Sequence, residues 1–375
     1  MRSILLVLLL SLHLPISATP KSISPDSANR DFQVVINKNV ELLGFVYFLG
    51  YEGAESEKST YSPKTKARYA YGIELYRQYK AHANSRHLAV AIGFAQDIWL
   101  DYFINLLVQL DDFPNAKLTD QIDSTYYLRF SAKKNPEEAR QNASLFIEAM
   151  NQLWKEVDFG TYLDRNRNKY NNALAQVSSE LPDSLFIPAM EHFYQMHLDS
   201  YILVPSLTIP PGMGFGIKYN AGNEIHAYHV FGAFGIPSFT DTTQLDMGFG
   251  DKQHLLELST HEFGHSFVNP VINSLPDSLI INTKQLYDPI KEAMSNQGYT
   301  TWKACLTEHF VRAGEIMIAR NLGNSADAAR LKEYYMNGRK FIYLPVILEA
   351  LETYNLNRNT SYREVVEKAV KKLSR

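Results

Sequence analysis

The spacing of apolar and polar positions changes character near residue 200. Before that point apolar residues recur three and four apart, which predicts helices over 41–51, 64–83, 87–110, 136–157, 163–180 and 184–196. Pro136 followed by Glu137 and Glu138 is a helix start, because proline needs no N–H in the first turn and acids favour the positive end of the dipole. The one early strand candidate is 32–36. Between 200 and 234 the pattern turns β-prone. Segments 200–209 and 225–234 read as strands, Pro210-Pro211-Gly212 interrupts them, and Met213, Phe215 and Ile217 alternate with glycine and lysine over 212–222. Helical spacing returns over 251–269, where Asn269-Pro270 predicts the end. Further helices are predicted over 283–296, 301–321, 326–337, 341–354 and 362–373. A helical N-terminal region (32–182), then a small mixed sheet and a helical C-terminal part (183–375), make an α+β organisation. No linker marks the join near 183, and no internal repeat is present.

The N-terminal residues carry a different pattern. Arg2 precedes a mostly apolar run, Ile4 to Leu14, too short to span a bilayer, and Ser17-Ala18 offers small residues for cleavage. Residues 1–18 therefore read as a signal peptide and 19–31 as a flexible leader, so the mature protein is expected to be secreted or periplasmic, with no membrane segment left after cleavage. The single cysteine, Cys305, cannot form a disulfide within the chain, which in an exported protein of 375 residues fits a bacterial source. The sequons at Asn142 and Asn359 matter only in a host that glycosylates. A formal charge of −3 with dispersed basic residues gives no electrostatic footprint for nucleic acid or an anionic membrane. The 23 Tyr and 20 Phe admit two readings, an aromatic-rich core or an aromatic cleft for a polymeric substrate.

The candidate chemistry lies in the helix predicted over 251–269. It contains His261-Glu262-Phe263-Gly264-His265, an H-E-x-x-H motif. Residues four apart share a helical face, so both imidazoles can reach one metal ion, and Glu262 can reach a water beside it. Leu256, Thr260, Phe263 and Phe267 fall on one side of the helix, with His254, His261 and His265 nearly opposite. A helix anchored by one face and presenting donors on the other suits a catalytic site better than an ordinary surface helix.

A catalytic zinc usually takes three protein ligands and keeps one position open. The extended motif H-E-x-x-H-x-x-G-x-x-H is excluded, because Val268 and Val271 occupy its glycine and histidine positions. The helix predicted over 301–321 supplies a glutamate instead. Leu306, Phe310, Ala313 and Met317 form its apolar stripe, and Glu308, Arg312 and Glu315 lie opposite. Glu308 is the expected third ligand; its bland alternative is an acid paired with Arg312 four residues on. His309 is the reserve ligand or else a semi-buried histidine, and Cys305 is expected to be structural. Arg312 is expected to hold Glu308 rather than bind substrate, Glu315 joins that network or faces water, and Asn269 contacts His265 or merely ends the helix.

Three stretches, His261 to Pro270, Cys305 to Ala313 and Tyr343 to Ala350, together resemble a family of uncharacterised, exported bacterial proteins with a domain of unknown function considered zincin-like. The resemblance covers about residues 30 to 370. It implies a gluzincin-type metallopeptidase with Glu308 in the place of that family's downstream acid, and it implies no particular substrate. The expectation is a secreted zinc metallopeptidase: Zn2+ held by His261, His265 and Glu308, with Glu262 as general base on peptide or protein substrates. Candidates to stabilise the oxyanion are His226, Tyr228, His229 and Tyr299. The competing expectations are a non-catalytic binding protein on the same scaffold and a zinc hydrolase of cell-wall or other non-peptide amides.

Overall fold

The segment with β-prone spacing folds as the sheet that supports the motif helix. In the computed structural model, which describes residues 32–58, 60–241 and 243–374, four strands form one mixed sheet. They are β1 (Gln33–Val34), β2 (Ser200–Pro205), β3 (Gly214–Ala221) and β4 (Glu224–Phe231), in the order β1-β2-β4-β3. The first three in that order run parallel and β3 closes the edge antiparallel to β4. Gly222, at φ 61°, takes the left-handed backbone that the tight β3–β4 connection requires. The remaining elements are helical, so the α+β expectation with a small mixed sheet holds. The signal peptide and leader expected over 1–31 lie outside the described residues.

Asp31–Arg375 form one compact unit. β1, from the N-terminal region, pairs with β2 from beyond residue 183, so the two regions share a sheet as well as a core. Among the described residues no single helix is long and apolar enough to cross a membrane.

Packing overrides the sequence pattern in two informative places. The helix predicted over 87–110 is two helices, Arg86–Ala95 and Leu100–Leu107, bent by 116°. In a straight helix Phe94 and Phe103 would stand roughly 13 Å apart. The bend brings both rings within 6.2 Å of Phe146, against which Phe130 also packs. The second override is the expected stop at Asn269-Pro270: the motif helix runs on through Pro270, from Lys252 to Asn273. A proline inside a helix removes one N–H and strands the carbonyl four residues earlier. That carbonyl, of Ser266, accepts a hydrogen bond from Lys218 Nζ at 3.2 Å. The β3 lysine thus satisfies the group that Pro270 leaves free.

The glycine alternation in β3 has a steric cause. A Cβ at position 216 would lie 2.2 Å from the Glu262 carbonyl oxygen, and one at 214 would lie 3.2 Å from Glu262 Oε1. Gly214, Gly216 and Lys218 therefore form the face on which the motif helix lies, while Ile217, on the opposite face, is buried. The helix enters with Asp251 as its N-cap, accepting from the His254 N–H at 2.9 Å.

A buried acid ties the first helix to the segment after β2. Glu41, fully buried, accepts from Tyr170 Oη at 2.9 Å, and Thr208 Oγ1 lies 3.2 Å from the same oxygen. Burial pushes its carboxyl pKa up to about 7, against hydrogen bonds from Ser206, Tyr170 and Thr208 that pull it down. The native state therefore holds this proton more tightly than the unfolded chain, whose acid titrates near 4.5. The resulting stability is present below pH 4.5 and is lost as pH rises through 7, roughly 3 kcal/mol in all. Urea midpoints of wild type should fall between pH 5 and pH 8, and Glu41→Gln should flatten that slope. An equal slope in both proteins rules out Glu41 as its source.

Candidate metal centre

Two helices build the site. The motif helix, Lys252–Asn273, packs against Trp302–Asn321, which starts at a Thr301 N-cap. Both Gly264 and Gly314 face Tyr194 Oη, which stands only 2.1 Å from where a Cβ on Gly314 would be. Tyr194 in turn stacks on Phe267 at 4.6 Å. Phe263 and Phe267 are fully buried, as expected for the anchoring face. Leu306, Phe310, Ala313 and Met317 are buried too. The opposite side of that helix is also enclosed: Glu308 is 7 % exposed and Glu315 2 %.

These helices bring His261, His265 and Glu308 together, with one ligand atom of each within 4.8 Å of the others. His261 Nε2 and His265 Nε2 are 3.3 Å apart, and His265 Nε2 lies 3.1 Å from Glu308 Oε1. His261 Nε2 is 3.9 Å from Glu308 Oε2, a buried oxygen with no hydrogen-bond partner among the described residues.

Whether such a set suits a metal ion depends on where the ring protons lie. His261 Nδ1 donates to Glu315 Oε1 at 2.8 Å, and His265 Nδ1 donates to Asn269 Oδ1 at 3.1 Å. Each outer partner fixes the proton on Nδ1, so both Nε2 lone pairs point at one another and at Glu308. Three electron-rich atoms in one corner of the cleft call for positive charge; Arg312 supplies part of it from one side, Nη2 3.5 Å from His261 Nε2 and Nε 3.7 Å from Glu308 Oε2, and a metal ion among the three would supply the rest. Ligands about 2.0–2.1 Å from a tetrahedral zinc are roughly 3.3 Å from each other; His265 Nε2 stands at about that distance from His261 Nε2 and from Glu308, and the third pair is wider, at 3.9 Å. The donor set fits a metal ion.

Without one, protons take up the strain. Burial alone would lower the pKa of His265, but Glu308 beside it outweighs that and raises it to about 9. Burial would raise Glu308, yet His265, His261 and Arg312 hold its carboxyl well below the usual range. Arg312 lies between two acids, Nη1 donating to Glu315 Oε1 at 3.0 Å and Nε 3.7 Å from Glu308 Oε2. Arg312, expected to hold Glu308, lies within ion-pair distance of that acid but hydrogen-bonds Glu315, which joins the network by orienting His261. Asn269 is both a contact of His265 and a residue within the helix.

The other candidates separate clearly. His309 is fully buried, donates from Nδ1 to the Cys305 carbonyl at 2.8 Å and packs on Phe341 and Tyr343, apart from the triad. Burial lowers its pKa to about 4. Cys305 is buried, its thiol pushed up to about 12 by burial and by Glu308. His226 pairs with Ser200 Oγ at 2.7 Å, Tyr228 lies against Tyr219, and His229 is enclosed against Ser259. None of these three lines the cleft that holds His261, Glu262 and His265, whereas Tyr299 does.

That cleft measures about 900 Å³. Tyr47, Trp99 and Asp101 line it from the N-terminal half, Gly214 and Phe215 from β3, and Gln297, Tyr299, Tyr335 and Arg339 from the C-terminal half. Most phenylalanines nonetheless belong to the core, while Tyr47, Trp99, Phe215, Tyr299 and Tyr335 line the cleft. Tyr335 was not foreseen from the sequence. Its hydroxyl donates to Glu315 Oε2, and its ring lies under Arg312 at 4.9 Å. It sits in a π-helical turn, Tyr334–Gly338, for which ordinary helical spacing gives no sign.

A family model described as Domain of unknown function (DUF4932) matches residues 32–368. The chain belongs to the DUF4932 family. Among curated proteins and solved structures, nothing matches it. In this family member His261, His265 and Glu308 form a possible metal-binding triad, and its outer partners are Glu315, Asn269 and Arg312.

Proposed function

We propose that this DUF4932 protein is an exported zinc metallopeptidase with a zincin-like, gluzincin-type core. The observation that carries the reading is the convergence of two Nε2 atoms and a buried carboxylate oxygen that accepts no hydrogen bond from a described residue, beside Glu262, at an open cleft. Zinc bound there would act as a Lewis acid, lowering the pKa of a water and polarising a scissile carbonyl. Glu262 takes a proton from the attacking water and delivers it to the leaving amine. Its carboxylate is set beside Gly214 of the edge strand, in the same cleft as both histidines. Tyr299 reaches the cleft with its phenol and is the favoured donor to the developing oxyanion. Glu315 and Asn269 keep both imidazoles in the tautomer a metal needs.

Elemental analysis of the purified protein should find about one zinc per chain, as a single three-ligand site with one open position demands. A chelator should abolish cleavage of a peptide library and added zinc should restore it. Purified peptidoglycan tested in parallel decides between peptide and cell-wall amides. Chelator-resistant cleavage, or a folded protein that takes up no metal, sinks the proposal.

A further inference from the structure

The cleft contains a second arginine whose charge is not satisfied. Arg312 is neutralised between Glu308 and Glu315, and Glu257, another lining acid, pairs with Arg330. Arg339 lines the same cleft and has no carboxylate within ion-pair distance among the described residues.

Its position is nonetheless fixed. Arg339 Nε donates to Gln297 Oε1, and Gln297 Nε2 donates back to the Arg339 carbonyl at 2.9 Å and to the Ala293 carbonyl at 2.8 Å. One glutamine therefore holds both the backbone and the guanidinium. The Arg339 N–H closes the π-helical turn on the Tyr334 carbonyl at 3.0 Å. The same turn carries Tyr335, bonded to Glu315 and so to His261. Phe341, fully buried against His309, anchors the far side. The guanidinium is thus rigidly coupled to the triad, with Nη1 and Nη2 bonded to no described residue. A planar fork held in this way, half-buried and without an acid, matches the bidentate geometry of a carboxylate.

We propose that Arg339 is the specificity residue of this cleft and recognises a carboxylate on the substrate, so that the preferred peptides carry a free C-terminus or an acidic side chain near the bond presented to Glu262. The assignment of a peptide as ligand rests on the peptidase reading; the anion preference of the cleft does not.

The test uses hexapeptide libraries made with free-acid or amidated C-termini, each with internal Glu or internal Gln. They are equilibrated with full-length, zinc-loaded Glu262→Gln protein and the bound fraction is read by mass spectrometry. Cleavage by the wild-type protein is followed in parallel. Carboxylate-bearing peptides should be favoured by at least about tenfold, as expected for a charge-assisted pair. Arg339→Gln, introduced into both proteins, should bring that ratio toward one, and Arg339→Lys should leave an intermediate ratio because it keeps the charge without the fork. A ratio that follows the C-terminus identifies the terminal carboxylate, and one that follows internal Glu identifies the side chain. Binding preference without cleavage refutes the peptidase and leaves Arg339 as an anion site. An unchanged ratio in folded, metal-replete Arg339→Gln, or no carboxylate preference in the parent protein, overturns the proposal.

Discussion

Glu262→Gln should leave the protein folded and metal-replete while slowing peptide hydrolysis by roughly a hundred- to ten-thousandfold, the usual worth of a general base. The substitution is nearly isosteric, which matters at this position. Glu262 is only 8 % exposed and packs against a strand face kept bare by Gly214 and Gly216. A smaller residue would confuse lost packing with lost chemistry. Glu262 also lies outside the triad, so metal content should not fall. Zinc stoichiometry and initial rates measured on the same preparations separate the two roles. A variant that hydrolyses as fast as wild type removes Glu262 from the chemistry. One that loses its metal makes Glu262 a ligand instead.

The sequence carried the local chemistry well because helical spacing alone places His261 and His265 on one face and gives Glu308 and Arg312 theirs. Phe263 and Phe267 of the first stripe and all four residues of the second are buried, but Leu256 is only partly so and the opposite side of the second helix is enclosed too, which the stripes alone do not reveal. What could not be read is what depends on distant partners. The bend between Arg86–Ala95 and Leu100–Leu107 answers to Phe130 and Phe146, which lie beyond any local window. Pro270 reads as a stop because nothing nearby shows that Lys218 will satisfy the Ser266 carbonyl. Of four donors suggested for the oxyanion, only Tyr299 reaches the cleft, and the three on β4 are held by Ser200, Tyr219 and Ser259. Both β3 and β4 pack on the motif helix, but only β3, at the sheet edge, lines the cleft, so the β4 side chains lie away from it. Tyr335 lies in, and Arg339 directly follows, a π-helical turn that shifts the register of everything after it.

Glu308→Ala should reduce zinc affinity by more than about a hundredfold, beyond the loss that follows removal of an outer partner of a metal ligand. Glu315→Gln provides that comparison: it keeps a hydrogen-bond acceptor for His261 Nδ1 and should weaken the metal by about tenfold to a hundredfold. The order Glu308 before Glu315 distinguishes a ligand from the residue that orients one. Both variants should fold, because Arg312 keeps one acid in each case, Glu315 in the first and Glu308 in the second. Metal-free protein offers an independent reading of the same carboxylate. Its folded pKa is depressed by His265, His261 and Arg312, so its contribution to stability is present above the unfolded value near 4.5 and is lost as pH falls below it. Glu308→Gln should erase that acid-side loss in chelator-treated samples, checked by urea midpoints at successive pH values. If Glu308→Ala retains zinc with the wild-type dissociation constant, His261 and His265 must find their third partner elsewhere, and no other described cluster of histidine, cysteine, aspartate or glutamate offers one.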